Sequence, residues 1–268
     1  MSLNKEKSLN VASRTSMPPM GVKVCRDWYA TPAGQAALAR VQSVVGRMTA
    51  DIFGYHALET GVLAGQNTFL QESRIAHQIA LGVAAGENGS VVGTPEQLPF
   101  AFSNIDLVIA SHALDCTGQP HQVLREIERV LVPEGHCILV GFNPFSFKGV
   151  GRLRHLHNWD AQPCHFYSTF RVRDWLSVLG FDVRETVSAG FCPVLGGNYL
   201  FQRTRWLDHL GEKFHFMTGN VYIIHAQKKV SNMTPLLPAR KVKPLLKPGM
   251  IVNPGAGRVS RQEPDNAK

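Results

Sequence analysis

Residues 104–114, Asn-Ile-Asp-Leu-Val-Ile-Ala-Ser-His-Ala-Leu, form a mostly apolar run that constrains the fold more than any other stretch of the chain. A strand with no polar face to turn toward water belongs in a parallel sheet covered on both sides. Pro120 then opens a helix with Val123, Leu124, Ile127, Val130 and Leu131 on one face. Pro133-Glu134-Gly135 is the stop, and 136–142, His-Cys-Ile-Leu-Val-Gly-Phe, is the next strand. Upstream, Thr31-Pro32 starts a helix striped by Leu38, Val41, Val45, Met48 and Ile52, with Gly54 as its stop. Residues 55–60 read as a strand, 90–93 as a short one, and 74–83 as a strand or a short helix. Downstream, Val172, Trp175, Leu176 and Leu179 mark a helix between Ser168 as cap and Gly180 as stop, and 181–187 and 220–226 are the last strands. Strand and helix alternate from 56 to 183, which predicts an α/β chain with a doubly wound, Rossmann-like sheet.

In such a sheet a ligand lies beyond the carboxyl ends of the strands, near the point where strand order reverses. Thr60–Gly65, Gly93–Phe100, Ser111–Asp115 and Gly141–Phe147 follow strands and are the candidate functional segments.

The 268 residues suffice for one substantial core, and no apolar run reaches the roughly 18–20 residues of a membrane span. The polar first twenty residues lack the apolar stretch of a secretory signal. Five cysteines, at 25, 116, 137, 164 and 192, are odd in number, scattered, and include no C-x-x-C; that pattern argues against a disulfide framework and a zinc knuckle. A cytoplasmic protein with reduced thiols and no metal is the expectation. The net charge of +8 is uneven. Residues 228–268 hold nine Lys/Arg against Glu263 and Asp265, a net of +7, with six prolines and no hydrophobic period. This predicts a globular body at 28–227 between a flexible basic N-terminus, 1–27, and a disordered basic tail, 228–268, suited to nucleic acid or an acidic partner.

The segment 93–144 carries Leu98-Pro99-Phe100, Asp106-Leu107-Val108, His112, Leu124-Arg125-Glu126, Arg129-Val130-Leu131 and Pro133-Glu134-Gly135. In combined spacing this resembles the core of class I S-adenosylmethionine-dependent methyltransferases, of the methyltransferase type 11-like group. Residues 141–154 and the basic tail are similar to a bacterial branch of it. The match is close over about 50 residues and looser over 56–226. It implies a seven-stranded sheet, mostly parallel with one antiparallel strand, and S-adenosyl-L-methionine as cofactor. The methyl acceptor, whether small molecule, protein or RNA, and the oligomeric state stay open. The resemblance assigns Glu59, Gly61, Gly65, Thr94, Pro95, Glu96, Ser111 and His112 to the cofactor site.

The first motif departs from the family pattern. Val62 and Leu63 stand where small residues are usual and are expected to crowd the cofactor. The acidic residue that ends the second strand and binds the ribose has no clear counterpart. Thr94 replaces an acidic residue before Leu98-Pro99-Phe100, and Pro95 removes a backbone N–H. Only 38 positions separate Gly61 from Pro99, which suggests a trimmed helix or strand. A side chain placed at Gly61 is expected to point into the methionine or ribose pocket. A non-catalytic protein of the same fold, binding nucleic acid through its tail, is the alternative.

Histidine suits a general base, which makes His112 a catalytic candidate, with packing or lining of the cofactor cleft as the alternative; Asp115, one turn on, suits orienting a nucleophile or capping the next helix. Phe142-Asn143-Pro144-Phe145 is similar to the N-P-P-F/Y box of nitrogen methyltransferases but follows the fifth strand and lacks the second proline; a loop role is expected. His155, His157, Cys164 and His165 match no standard zinc spacing, and Arg152 and Arg154 suit an anionic substrate. Residues 188–219 read as an insertion that covers the site, and 27–34 as a segment closing over it from the N-terminal side.

Overall fold

The computed structural model describes residues 20–65, 69–82, 89–146, 164–190 and 219–229. Helices α1 (Met20–Tyr29) and α2 (Pro32–Thr49) precede strands β1 (His56–Gly61), β2 (His77–Gly82), β3 (Val91–Val92) and β4 (Ile105–Ser111). Then come α3 (Pro120–Val130), β5 (Leu131–Phe142), a helix numbered here α4 (Thr169–Val178), β6 (Phe181–Ala189) and β7 (Val221–Lys228). The seven strands lie in the order β3-β2-β1-β4-β5-β7-β6. β7 alone runs antiparallel, to both of its neighbours, as expected. The order reverses between β1 and β4, so the carboxyl ends of these two strands, Gly61 beside Ser111, mark the ligand position.

Alternate side chains of the central strands feed two cores. On one face Ala57, Leu107, Ile109, Ile138, Val140 and Ile223 pack under α1 and α2. On the other, Leu58, Val108, Ala110, Leu139, Tyr222 and Ile224 pack under α3 and α4. The large aliphatic side chains here are fully buried, and each contributes about 1.5–3 kcal/mol.

The helix starts follow the sequence. Thr31 caps α2, its hydroxyl accepting from Gly34 N at 3.1 Å. Ser168 caps α4 by accepting from Arg171 N at 3.4 Å. The undecided stretch 74–83 is a strand, because β2 is paired in register with β1 from His77 to Ala80. Two expectations need correction. Residues 20–27, placed in a flexible terminus, are helical, and Val22, Cys25, Trp28 and Tyr29 recur on its buried face. Pro133-Glu134-Gly135 does not stop α3, which ends at Val130; it is an irregular step inside β5, where Glu134 has φ 63° and the register against β4 shifts.

The alternation of strand and helix also fails in the first half. Among the described residues no helix lies between β1 and β4. The link from β1 to β2 is 15 residues, enough to return along a six-residue strand of about 20 Å without one. Phe69, Leu70 and Ile75 fill the space by being buried. Polar side chains pin the loops in place of helices. Asp106 Oδ2 accepts from Tyr55 N and His56 N at 2.8 and 2.9 Å. Arg129 donates to Phe100 O and Leu98 O, both at 2.9 Å, while Glu126 Oε2 accepts from Leu98 N at 3.0 Å. Arg129 and Glu126 pair with each other at 2.8 Å, and this pairing holds the Glu126 carboxyl below the usual range. The spaced motif Leu98-Pro99-Phe100 with Glu126 and Arg129 is therefore a clamp between α3 and the β3–β4 loop.

Apart from Ser188 and Ala189, which end β6, and from Gly190 and Gly219, the covering insertion lies outside the described residues, as do 1–19, Arg152, Arg154, His155, His157 and the tail from 230.

Candidate active site at the carboxyl ends of β1 and β4

The loop after β1 is bent by two left-handed glycines, Gly61 at φ 99° and Gly65 at φ 79°. Beneath it lies Glu59, whose Oε1 accepts from Phe69 N at 3.2 Å. Burial pushes this carboxyl up, opposed by the N–H groups of Phe69, Gly65 and Leu70. Ser111 ties the neighbouring strand end to the same loop: its hydroxyl accepts from Leu63 N at 3.1 Å and donates to Thr60 O at 3.2 Å. Glu59 and Ser111 therefore shape the loop from inside.

Two expectations about the loop are corrected. Val62 and Leu63 do not project outward; they are buried in the core under α1, where Arg26 Nε also donates to Val62 O at 3.2 Å. A Cβ on Gly61 would overlap the Ser111 carbonyl and not enter a ligand pocket. Gly61 is needed because β4 approaches closely and because φ is positive.

After β4 the chain turns sharply at His112, which has φ 52°, a left-handed conformation that a non-glycine residue adopts only under constraint. The constraint is visible. His112 N donates to Val140 O at 2.8 Å, and its ring stacks on Phe142 at 4.1 Å between centroids. His112 Nδ1 lies 2.7 Å from Asp115 Oδ2, which also accepts from Phe142 N at 2.9 Å. A carboxylate in that position fixes the proton on Nδ1, leaving Nε2 as an acceptor 2.6 Å from Tyr29 Oη. Burial, then Cys25 and Asp115, hold the Tyr29 phenol well above its ordinary range, so it stays protonated and donates. Tyr29, His112 and Asp115 are thus one buried hydrogen-bonded chain. The N-terminal segment closes over the strand ends as expected, with Trp28 and Tyr29 both packed on Phe142.

Thr94, Pro95 and Glu96 lie in the β3–β4 loop. Thr94 bridges to Gln97, and Glu96 accepts from the Thr117 hydroxyl, which joins this loop to the one after β4. Asn143 closes a local turn, its Oδ1 accepting from Phe145 N at 3.1 Å, in keeping with the loop role expected of 142–145. His165 N donates to Asp115 O at 2.8 Å. Sequence reading missed Tyr29, although the spacing of Val22, Cys25 and Tyr29 on one helical face was available.

A family model described as a methyltransferase domain matches residues 66–139, from the loop after β1 to the middle of β5. The seven-stranded sheet with its one antiparallel strand has the class I methyltransferase fold. A methyltransferase from Thermotoga maritima shares its fold, with a TM-score of 0.53, 17% identity, and coverage of 78% of this chain and 96% of that one. Among curated proteins, the uncharacterized YafS of Escherichia coli (strain K12) is 30% identical over 157 residues, 58% of this chain and 65% of the relative. A malonyl-[acyl-carrier protein] O-methyltransferase of Coxiella burnetii is 29% identical over 135 residues, 46% of each. The chain thus spans 65% and 46% of the length of these two curated relatives. No helix among the described residues is long and apolar enough to cross a membrane.

The family implies S-adenosyl-L-methionine, and two observations fit that group. The loop of Gly61 and Gly65 opens the backbone at the switch point. Thr60 Oγ1 and Asp115 Oδ1 are buried at the ends of β1 and β4 with no hydrogen-bond partner among the described residues. Buried polar atoms left in this way fit a polar ligand that completes them.

Proposed function

We propose that the protein is an S-adenosyl-L-methionine-dependent methyltransferase acting on an acceptor that loses a proton as it is methylated. The observation that carries this reading is the Tyr29–His112–Asp115 chain at the switch point of a methyltransferase sheet. The backbone of the Gly61–Gly65 loop, with Thr60 and Asp115, would hold the cofactor. Glu59 and Ser111 would position that loop, and Glu96 the loop opposite.

When bound, the cofactor supplies an electrophilic methyl group, so the protein's task is alignment and proton removal. The Tyr29 hydroxyl takes the acceptor's proton while passing its own to His112 Nε2. The imidazolium that forms is stabilised by Asp115 Oδ2, held in place by Phe142 N. Burial of all three side chains strengthens these interactions by excluding water.

Isothermal titration of the full chain with S-adenosylmethionine and S-adenosylhomocysteine tests the cofactor reading. The expected result is saturable binding of both. No heat of binding up to millimolar cofactor, from protein shown to be folded, would overturn it.

A further inference from the structure

Three cysteines that lie far apart in sequence meet beside this site. Cys25 comes from α1, Cys116 from the loop after β4, and Cys164 from the segment before α4. Their sulfurs are 3.5 Å apart for Cys25 and Cys116, 4.0 Å for Cys25 and Cys164, and all lie within 4.8 Å of one another. Three thiolates on one zinc ion, each about 2.3 Å from the metal, sit about 3.8 Å apart in tetrahedral geometry. The two separations from Cys25, 3.5 and 4.0 Å, bracket that value. Cys25 and Cys164 are buried, whereas Cys116 is partly exposed and gives an ion an entry path.

The structure assigns Cys25, Cys116 and Cys164 as a thiolate site for a soft cation of the zinc class, independent of the methyltransferase reading. Binding exchanges thiol protons for the metal: each S–H that becomes a ligand releases its proton to solvent as the metal–sulfur bond forms. The site would join three segments. α1 also carries Tyr29, one turn after Cys25. The loop after β4 carries His112 and Asp115 immediately before Cys116. The third segment already donates to Asp115 O through His165 N. The cation would thereby fix the helix that supplies Tyr29 against the turn that supplies His112.

Without metal the group is held as thiols. Contact with the Cys116 thiol pulls Cys25 down, but the Cys164 thiol, burial and the Asp115 carboxylate together leave it well above the usual range. Cys116 is pushed up by its contacts with Cys164 and Cys25 and by burial. Because protons compete with the metal for sulfur, metal uptake should weaken as pH falls.

The test uses full-length protein, reduced and stripped with a chelator, titrated first with cobalt(II) and then with zinc(II). The expected result is one cobalt per chain with sulfur-to-cobalt charge-transfer absorption, displaced by one equivalent of zinc. Cys116→Ala should diminish that absorption and weaken zinc binding about tenfold or more, the least that loss of a direct ligand implies. Cys137→Ala, in the opposite core under α3, should leave both unchanged. Absence of thiolate absorption in the unsubstituted protein would overturn the assignment, and that measurement needs no variant to fold. An unchanged cobalt spectrum in Cys116→Ala would also overturn it, as would a Cys25–Cys116 disulfide formed in air by protein that takes up no metal when reduced.

Discussion

The two halves of the sheet solve the same problem by different means. From β4 to β6 the strands are buried by α3 and α4, and the side chains that matter are aliphatic: Leu124, Ile127, Val172 and Leu176 are all fully buried. From β3 to β1 no crossover helix stands between the strands among the described residues, and the loops are held by Glu59, Asp106, Glu126 and Arg129 through hydrogen bonds to backbone. A helix presents a continuous apolar stripe, so its stabilisation is spread over many contacts. A loop pinned by one carboxylate or guanidinium depends on that group alone. The first half should therefore respond to single polar and backbone changes, and the second to changes of volume.

The largest effect expected is that of Gly61→Val, which combines positive φ with overlap of the Ser111 carbonyl and should cost about 3–5 kcal/mol in urea unfolding. If its stability is near that of the unsubstituted protein, β1 and β4 are not as close as described. Next is Leu176→Ala, a cavity in the helix-covered half, with an expected loss of about 2–4 kcal/mol. Equal losses from Leu176→Ala and Leu176→Met would contradict the view that this half rests on volume.

Arg129→Met keeps most of the side-chain volume but removes the donors to Leu98 and Phe100. It should cost about 1–2 kcal/mol, with faster amide hydrogen exchange confined to residues 97–104. Protection lost equally across β5 to β7 would erase the contrast between the halves. The smallest effect is that of pH on the β5–β7 seam, where His136 Nδ1 and His225 Nε2 lie 2.9 Å apart. Burial, then His136 and Arg184, pull His225 down to about 4. Above the ordinary histidine range both folded and unfolded states are neutral there. As pH falls, the unfolded chain takes up a proton first, so stability declines until about pH 4. Because the residue is partly exposed, this should amount to about 1 kcal/mol, and His225→Gln should flatten that part of the stability–pH curve.

The same contrast decides what could be read from sequence. Strands β4 and β5 and helices α2, α3 and α4 announce themselves by their apolar pattern, and α2 and α4 also by their caps, since burial against a regular surface repeats at the period of the element. The sheet class followed from them. In the first half no helix lies between β1 and β2 among the described residues, so no helical period marks that link; only the short spacing from Gly61 to Pro99 hinted at that trimming. His112 and Asp115 were legible as separate candidates because both follow β4; their pairing came only with the turn that brings Nδ1 to 2.7 Å from Oδ2. Tyr29 was not, since its partner is 83 positions away. Cys25, Cys116 and Cys164 illustrate the limit most clearly. Their spacing argues against a common site, and only the packing of α1 across the strand ends brings them together.

The exit and return of the chain at the edge of the site have a consequence of their own. Ala189 and Val221 are paired in register, and Asn220 N donates to Gly190 O at 2.9 Å, so residue 190 and residue 220 are neighbours. Whatever lies between them is sewn to the sheet at a single hem. Loop-closure entropy grows only slowly with length, so the sheet is nearly indifferent to how many residues the hem encloses. A short turn joining Gly190 to Gly219 should therefore leave β6 and β7 paired.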